Sequence, residues 1–407
     1  MALTVPQIAP NQTDISPAPA GLTRHLLVIF SIIFSEFLVM GISLGGLPGY
    51  VHQTLGYSNL LVGLVIGTQY AATLGTRHLA GTMADTRGGR RAVVTGGLLS
   101  AGAGVFCLLS LLVAASPALS LGCLLVGRAL LGVGESFLVI GIFAWGFVLV
   151  GPQNTGKVMV WNGMGMHGGM ACGAPLGLFL QAAAGLKVAF GVSVLLPLLS
   201  LGCTYGLPAI PRLVQEARLP FYRAVRQVWK SGAGLALASI GFGGIASFIT
   251  LYFSQQGWSH APLALSAFGA GYIGMRLFFA HYPDKFGGAP VAMACLAIET
   301  AGQLLIWAAP AGGYAIAGAV LTGVGMSLVF PAFGQIAVRR VPAANRGMAI
   351  AAYNAFFDLG MGLTAPVAGL IAGGVHYNQI YLFGAGAAAA AFSLAYLEYR
   401  QEKRTLS

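Results

Sequence analysis

Residues 75–91 read Gly-Thr-Arg-His-Leu-Ala-Gly-Thr-Met-Ala-Asp-Thr-Arg-Gly-Gly-Arg-Arg, and residues 274–290 read Gly-Met-Arg-Leu-Phe-Phe-Ala-His-Tyr-Pro-Asp-Lys-Phe-Gly-Gly-Ala-Pro. Gly75, Arg77, Asp85, Gly88 and Gly89 recur as Gly274, Arg276, Asp284, Gly287 and Gly288, each displaced by 199 positions. Further along, Gly132-Val133-Gly134 is echoed by Gly323-Val324-Gly325, Trp161-Asn162 by Tyr353-Asn354, and Ala174-Pro175 by Ala365-Pro366. One match could be chance in a glycine-rich chain; an ordered set of them indicates two copies of one unit. Duplicated halves around a central site are the logic of secondary transporters.

The composition says what surrounds those halves. Of 407 residues, 57% are hydrophobic and only 8% are charged, with a mean hydropathy of +0.80. So few charges could not cover the surface of a soluble protein of this size. That excludes a soluble enzyme, a nucleic-acid binder and a disordered chain. The 60 glycines suit helices packed closely in a bilayer, and the short alternating segments of a membrane β-barrel are absent. Cys107, Cys123, Cys172, Cys203 and Cys295 lie singly in apolar stretches, so no metal site or cofactor is expected.

A span needs about 20 apolar residues. Twelve candidates fall near 25–48, 59–80, 92–114, 119–149, 158–183, 188–208, 233–254, 263–282, 289–309, 314–338, 347–372 and 380–399. The expected fold is an all-α membrane protein of twelve helices in two pseudo-symmetric six-helix bundles. Its divisions are a disordered tail at 1–22, a first bundle at 23–208, a linker at 209–231, a second bundle at 232–399 and a tail at 400–407. Placing the N-terminus in the cytoplasm puts seventeen Lys and Arg residues on that side, among them Arg87, Arg90, Arg91, Arg212, Arg218, Arg223, Arg339 and Arg340. Lys187 alone falls on the other side. That asymmetry sets the orientation, with both termini cytoplasmic.

These residues resemble a known family. The stretch Gly81 to Arg91 is similar to the span 2–3 signature of the major facilitator superfamily, and Arg128 with Gly132 and Gly134 is similar to its fourth-span motif. Gly169, Gly173, Ala174-Pro175 and Gly177 resemble a loosened form of its fifth-span antiporter motif. Leu47 to His52, Gln69-Tyr70, Thr76-Arg77 and Gly134-Glu135-Ser136 resemble the YhhS/YfcJ-type branch. Thr86 stands where the family usually has a basic residue, and the family's Gly-Pro pair reads Gly-Ala-Pro. The resemblance implies a monomeric transporter in a bacterial inner membrane, with spans one, four, seven and ten around a central cavity. It also implies that Gly81, Asp85, Gly88, Arg90 and Arg91, with Asp284 in the repeat, latch the halves together in one conformation.

Seven ionisable residues fall inside spans: Glu36, Arg77, Arg128, Glu135, Arg276, Glu299 and Asp358. Each costs about 2.5–3.5 kcal/mol at mid-bilayer, so all seven unpaired would cost roughly 20 kcal/mol, more than a typical folding stability. They must pair, neutralise or face water. Arg128 and Glu135 lie two turns apart on one face of span four. Glu135 and Glu36 are candidate proton carriers or substrate contacts, and Arg128 suits an anionic group because its planar fork binds bidentately. A static ion pair of Glu135 or Glu36 with Arg128 or Arg77 is the rival reading. Arg77 and Arg276 read as a symmetric architectural pair or gate, Asp358 with Asn354 as cavity-lining, and Glu299 as a peripheral packing charge. His78 and His167 are candidate proton relays, and Gln69, Asn162, Tyr70, Trp145 and Trp161 a candidate substrate wall.

No nucleotide-binding GxxxxGK[ST] stretch, metalloprotease HExxH or nucleophile elbow occurs, so neither ATP-driven transport nor enzymatic chemistry is expected. The reading is proton-coupled export of a small amphiphilic or anionic molecule by alternating access. Proton-coupled uptake of a small solute, and a membrane sensor that does not transport, are the alternatives.

Overall fold

The computed structural model describes residues 21–151, 154–206, 221–339, 341, 346–373 and 376–406. The tail expected before residue 21 lies outside them, as do Arg212, Arg218 and Arg340 and the side chains of Arg346 and Arg404. Among the described residues there is no strand, and the helices follow in order. They are α1 (Leu22–Gly49), α2 (Asn59–Arg87), α3 (Gly89–Leu112), α4 (Pro117–Val150), α5 (Thr155–Ala184), α6 (Leu186–Gly202) and α7 (Phe221–Gln256). After them come α8 (Ala261–Phe279), α9 (Tyr282–Phe286), α10 (Gly288–Trp307), α11 (Gly312–Ser327), α12 (Val329–Arg339), α13 (Arg346–Ala372) and α14 (Asn378–Leu406). The tenth span is broken at Leu328 into α11 and α12, and α9 is a single short turn between two spans, so twelve spans result.

Two boundaries differ from expectation. Helix α7 begins at Phe221, so Arg223, Arg226 and Lys230 lie on its opening turns rather than in a linker reaching residue 231. Helix α14 continues past Arg400 to Leu406, where a tail was expected. Polar side chains on a helix leaving the bilayer do not stop it, because the backbone hydrogen bonds are internal.

Ten of the spans are long and apolar enough to cross a membrane on composition alone. The two others are α2, with Asn59, Gln69, Arg77, His78, Asp85 and five threonines, and α5, with Lys157, Asn162, His167, Gln181 and seven glycines. Their polarity has a structural reason. α2 packs along α13 and α5 along α8, and these two seams join the halves. A helix enclosed by protein needs no all-round lipid face. Large apolar side chains elsewhere stand outward; Phe179, Leu199, Phe278 and Leu370 are all more than half exposed. That is the surface a bilayer covers.

Small residues set the spacing inside each half. A Cβ added to Gly41 of α1 would lie 2.6 Å from the Met170 carbonyl oxygen of α5, and one added to Gly96 of α3 would lie 2.6 Å from that of Gly134 in α4. Gly88 and Gly287 hold the same left-handed turn in the two repeats, at φ 92° and 89°, which a side chain would strain. The motif glycines are therefore turn-makers between α2 and α3 and between α9 and α10.

The α2/α13 seam is tight at one end only. Near the start of α2, Gly63 abuts the backbone of Ala365 and Pro366, and Gly369 abuts that of Asn59. Tyr377 donates to Asn59 Oδ1 at 3.1 Å beside them. Gly81 is eighteen positions beyond Gly63, five whole turns at about 100° per residue, so both face one way. A Cβ on Gly81 would meet nothing within 4 Å. Among the described residues, the halves thus touch where α2 begins, while the Gly81 position near its end meets no neighbour within 4 Å.

Candidate functional site

Where that seam begins to part, Arg77 of α2 and Asp358 of α13 form a buried ion pair. Arg77 Nε donates to Asp358 Oδ2 at 2.5 Å, and its second nitrogen Nη2 contacts the same oxygen. The side chains are 7% and 3% exposed, so the pair sits in a dry junction between the halves. The two charges depend on each other there, because removing one partner strands the other.

One turn before Arg77 on α2 lies Thr73, and one turn before that Gln69. Both reach Glu135 of α4: Gln69 Nε2 donates to Glu135 Oε2 at 3.1 Å, and Thr73 Oγ1 stands 3.2 Å from the same atom. Thr73 also lies 3.0 Å from the backbone oxygens of both Gln69 and Gly132. Its one hydroxyl proton therefore has three acceptors within reach. These contacts depend on Gly132, whose position against the Gln69 carbonyl leaves no room for a side chain.

Glu36 of α1 accepts from Ser100 of α3 at 2.6 Å through Oε1, while its Oε2 is buried without a partner. Arg128 of α4 is buried, and among the described residues none of its three guanidinium nitrogens has a hydrogen-bond partner. The hydroxyls of Tyr70 and Ser136 are buried and unpartnered as well. Buried polar groups are normally satisfied, so these groups stand out in the first half.

The second seam is built differently. His167 of α5 donates through Nδ1 to the Gly163 carbonyl at 3.0 Å and stacks on Tyr272 of α8, ring centres 4.0 Å apart. Arg276 lies over the Tyr272 ring at 5.1 Å and donates to the Ser327 carbonyl at 3.2 Å.

The remaining expected residues are dispersed. Asn162 is buried on α5 and donates to Met166 Sδ at 3.5 Å; Asn354 is half-buried on α13. Trp145 packs over Gly89, and Trp161 meets Phe30 edge-on, so both are packing residues in this conformation. His78 is exposed on α2. Asp284 accepts from Gln335 of α12 at 2.9 Å, a contact within its own half. Arg90 lies over the Tyr205 ring at 5.7 Å, and Asp85 is half-buried at the end of α2. Glu299 corrects the sequence reading: it is fully buried between α7, α10 and α11, against Gly241 and Gly325, with neither carboxyl oxygen partnered. Its helix faces its own bundle there because Gly241 and Gly325 bring the neighbouring backbones close.

Thr73, Ser100 and Tyr272 were not singled out from sequence. Each carried a signal, for Thr73 precedes Arg77 by four positions, and Tyr272 and Glu299 stand 199 beyond Thr73 and Ser100.

The chain matches the sequence profile of the Major Facilitator Superfamily over residues 29–265 and again over 259–407. The chain belongs to that superfamily. A Salmonella typhimurium protein described as an uncharacterized MFS-type transporter is 43% identical over 387 residues, covering 94% of this chain and 99% of that one. One from Pseudomonas aeruginosa, described in the same words, is 45% identical over 399 residues, covering 96% and 99%. Among solved structures, a D-xylose–proton symporter superimposes with a TM-score of 0.75 at 15% identity, covering 91% of this chain and 97% of that one. This superfamily member is thus a multi-pass membrane protein of the transporter class.

Proposed function

We propose that the protein is a proton-coupled secondary transporter that exports a small amphiphilic or anionic molecule by alternating access across a bacterial inner membrane. The observation that carries this is the Arg77–Asp358 pair, a buried charge contact between the two halves, one helical turn from Thr73, which contacts Glu135. Opening the tight end of the α2/α13 seam requires that pair to part. Parting leaves a bare carboxylate and a bare guanidinium in a low-dielectric junction, which is costly until a proton or a ligand neutralises one of them. Glu135, Thr73 and Gln69 form a hydrogen-bonded position beside the pair at which a proton can be held.

In this reading both termini are cytoplasmic, so the tightly packed start of α2 lies on the far side and its looser end lies toward the cytoplasm. Substrate would enter from the cytoplasm and leave after the halves rock. The test uses inverted membrane vesicles with an imposed proton gradient, acid inside, and candidate solutes supplied outside. Accumulation in wild type, with Asp358→Asn abolishing it, supports export. Accumulation that is unchanged by collapse of the gradient contradicts proton coupling.

A further inference from the structure

The two seams are related by the internal repeat, and they differ in one chemical respect. Helix α8 repeats α2 at a displacement of 199, and α13 repeats α5 at 191, as Ala174-Pro175 and Ala365-Pro366 show. The structure keeps this register. Gly132 abuts the Gln69 carbonyl and Gly323 abuts that of Phe268. At the seams, Gly362 meets Tyr70, and Ala171 meets Gly269. Carried one step further in this register of 191, the Arg77–Asp358 pair maps onto Arg276 and His167, and Asn354 maps onto Gly163, one position beyond Asn162, with which the Trp161-Asn162 echo of Tyr353-Asn354 had aligned it.

The cation is therefore retained and its anion is gone. Asp358 is replaced by a histidine, and Asn354 by a glycine over which the Arg276 guanidinium lies. Among the described residues Arg276 forms no ion pair, although the residue is only 7% exposed. Its one hydrogen bond goes to a neutral carbonyl, and cation–π contact with Tyr272 supplies the rest. The Tyr272 hydroxyl is buried without a partner, 1% of the residue being exposed. Around His167 of the first half stand Phe242, Tyr272 and Phe357, all of the second half, with Phe242 stacked on Phe268 at 4.6 Å.

We infer that the α5/α8 seam receives the carboxylate of a small organic acid with an apolar body, Arg276 giving the charge that Asp358 neutralises at the other seam and Tyr272 a second donor. The planar guanidinium matches a carboxylate, and the surrounding rings match the apolar remainder. The inference rests on the transport reading above and specifies its substrate class.

The test uses full-length protein in nanodiscs, with benzoate and hexanoate as probes and benzamide and hexanamide as their uncharged counterparts. At least one acid should raise the melting temperature with increasing dose, and its amide should bind at least tenfold more weakly. Arg276→Gln should lose the response. His167→Asp is the sharper variant, because it restores the carboxylate that the repeat lacks. It should melt no lower than wild type and no longer respond to the acid. Equal responses to acid and amide, silence toward both acids, or a full acid response in His167→Asp would overturn the inference. Distances between spin labels on the two halves, read from the same samples, separate the two levels. Halves that still move while no acid binds defeat the anion site and leave the transport reading standing; halves that never move defeat that reading.

Discussion

Arg77 and Asp358 stand 281 positions apart in sequence and are hydrogen-bonded in space. Asp358→Asn leaves the guanidinium buried without an anion, and loss of one partner from such a pair costs about 3–5 kcal/mol. We expect a lower melting temperature for Asp358→Asn and for Arg77→Gln alone. The double variant should recover much of the loss, giving a coupling energy of at least about 1 kcal/mol in a double-mutant cycle. Additive losses would mean that the two charges do not act as a pair. Glu135→Gln keeps a side chain of the same shape beside Gln69 and Thr73 but cannot carry a proton. Flux in that variant should survive as solute exchange and lose its response to the proton gradient; an unaltered gradient response would remove Glu135 from coupling. Which side chains carry charge inside the spans was legible in the sequence, since the bilayer makes each one conspicuous. Their partners were not. Arg77 could have met Asp85, Glu135 or Asp358 on spacing alone, and only the packing of α2 on α13 decides among them.

At the level of helices, the order and number of spans follow from apolar length and from the glycine and proline punctuation, with α2 and α5 the polar exceptions that form the seams. What hydropathy could not show is which of the 60 glycines hold helices together and which face open space. Gly63 and Gly81 share a face of α2, yet one touches backbone across the seam and the other touches nothing. Gly63→Leu should therefore prise the sealed end apart, lowering stability and exposing the start of α2 to a thiol reagent through a cysteine placed at Asn59. Gly81→Leu should leave both measurements near wild type in this conformation. Equal effects of the two substitutions would contradict the one-ended seam. Inside a half, Gly96→Ala forces a methyl against the Gly134 carbonyl, and overpacking of that kind costs about 1–3 kcal/mol.

Across the whole molecule, the repeat that opens the sequence becomes two bundles joined at two seams, one closed by a charge pair and one by a stacked histidine and tyrosine around a lone arginine. Alternating access demands that the two ends of such an assembly move in opposite senses. Paired spin labels measure this directly: one pair at the exposed positions Ser58 and His376 on the sealed end, the other at Arg87 and Arg339 on the open end. Relative to wild type, Asp358→Asn weakens the seam between the halves, so the 58–376 distance should lengthen while the 87–339 distance shortens. Both distances changing in the same direction, or neither changing, would contradict a pair of rocking halves held by the Arg77–Asp358 contact.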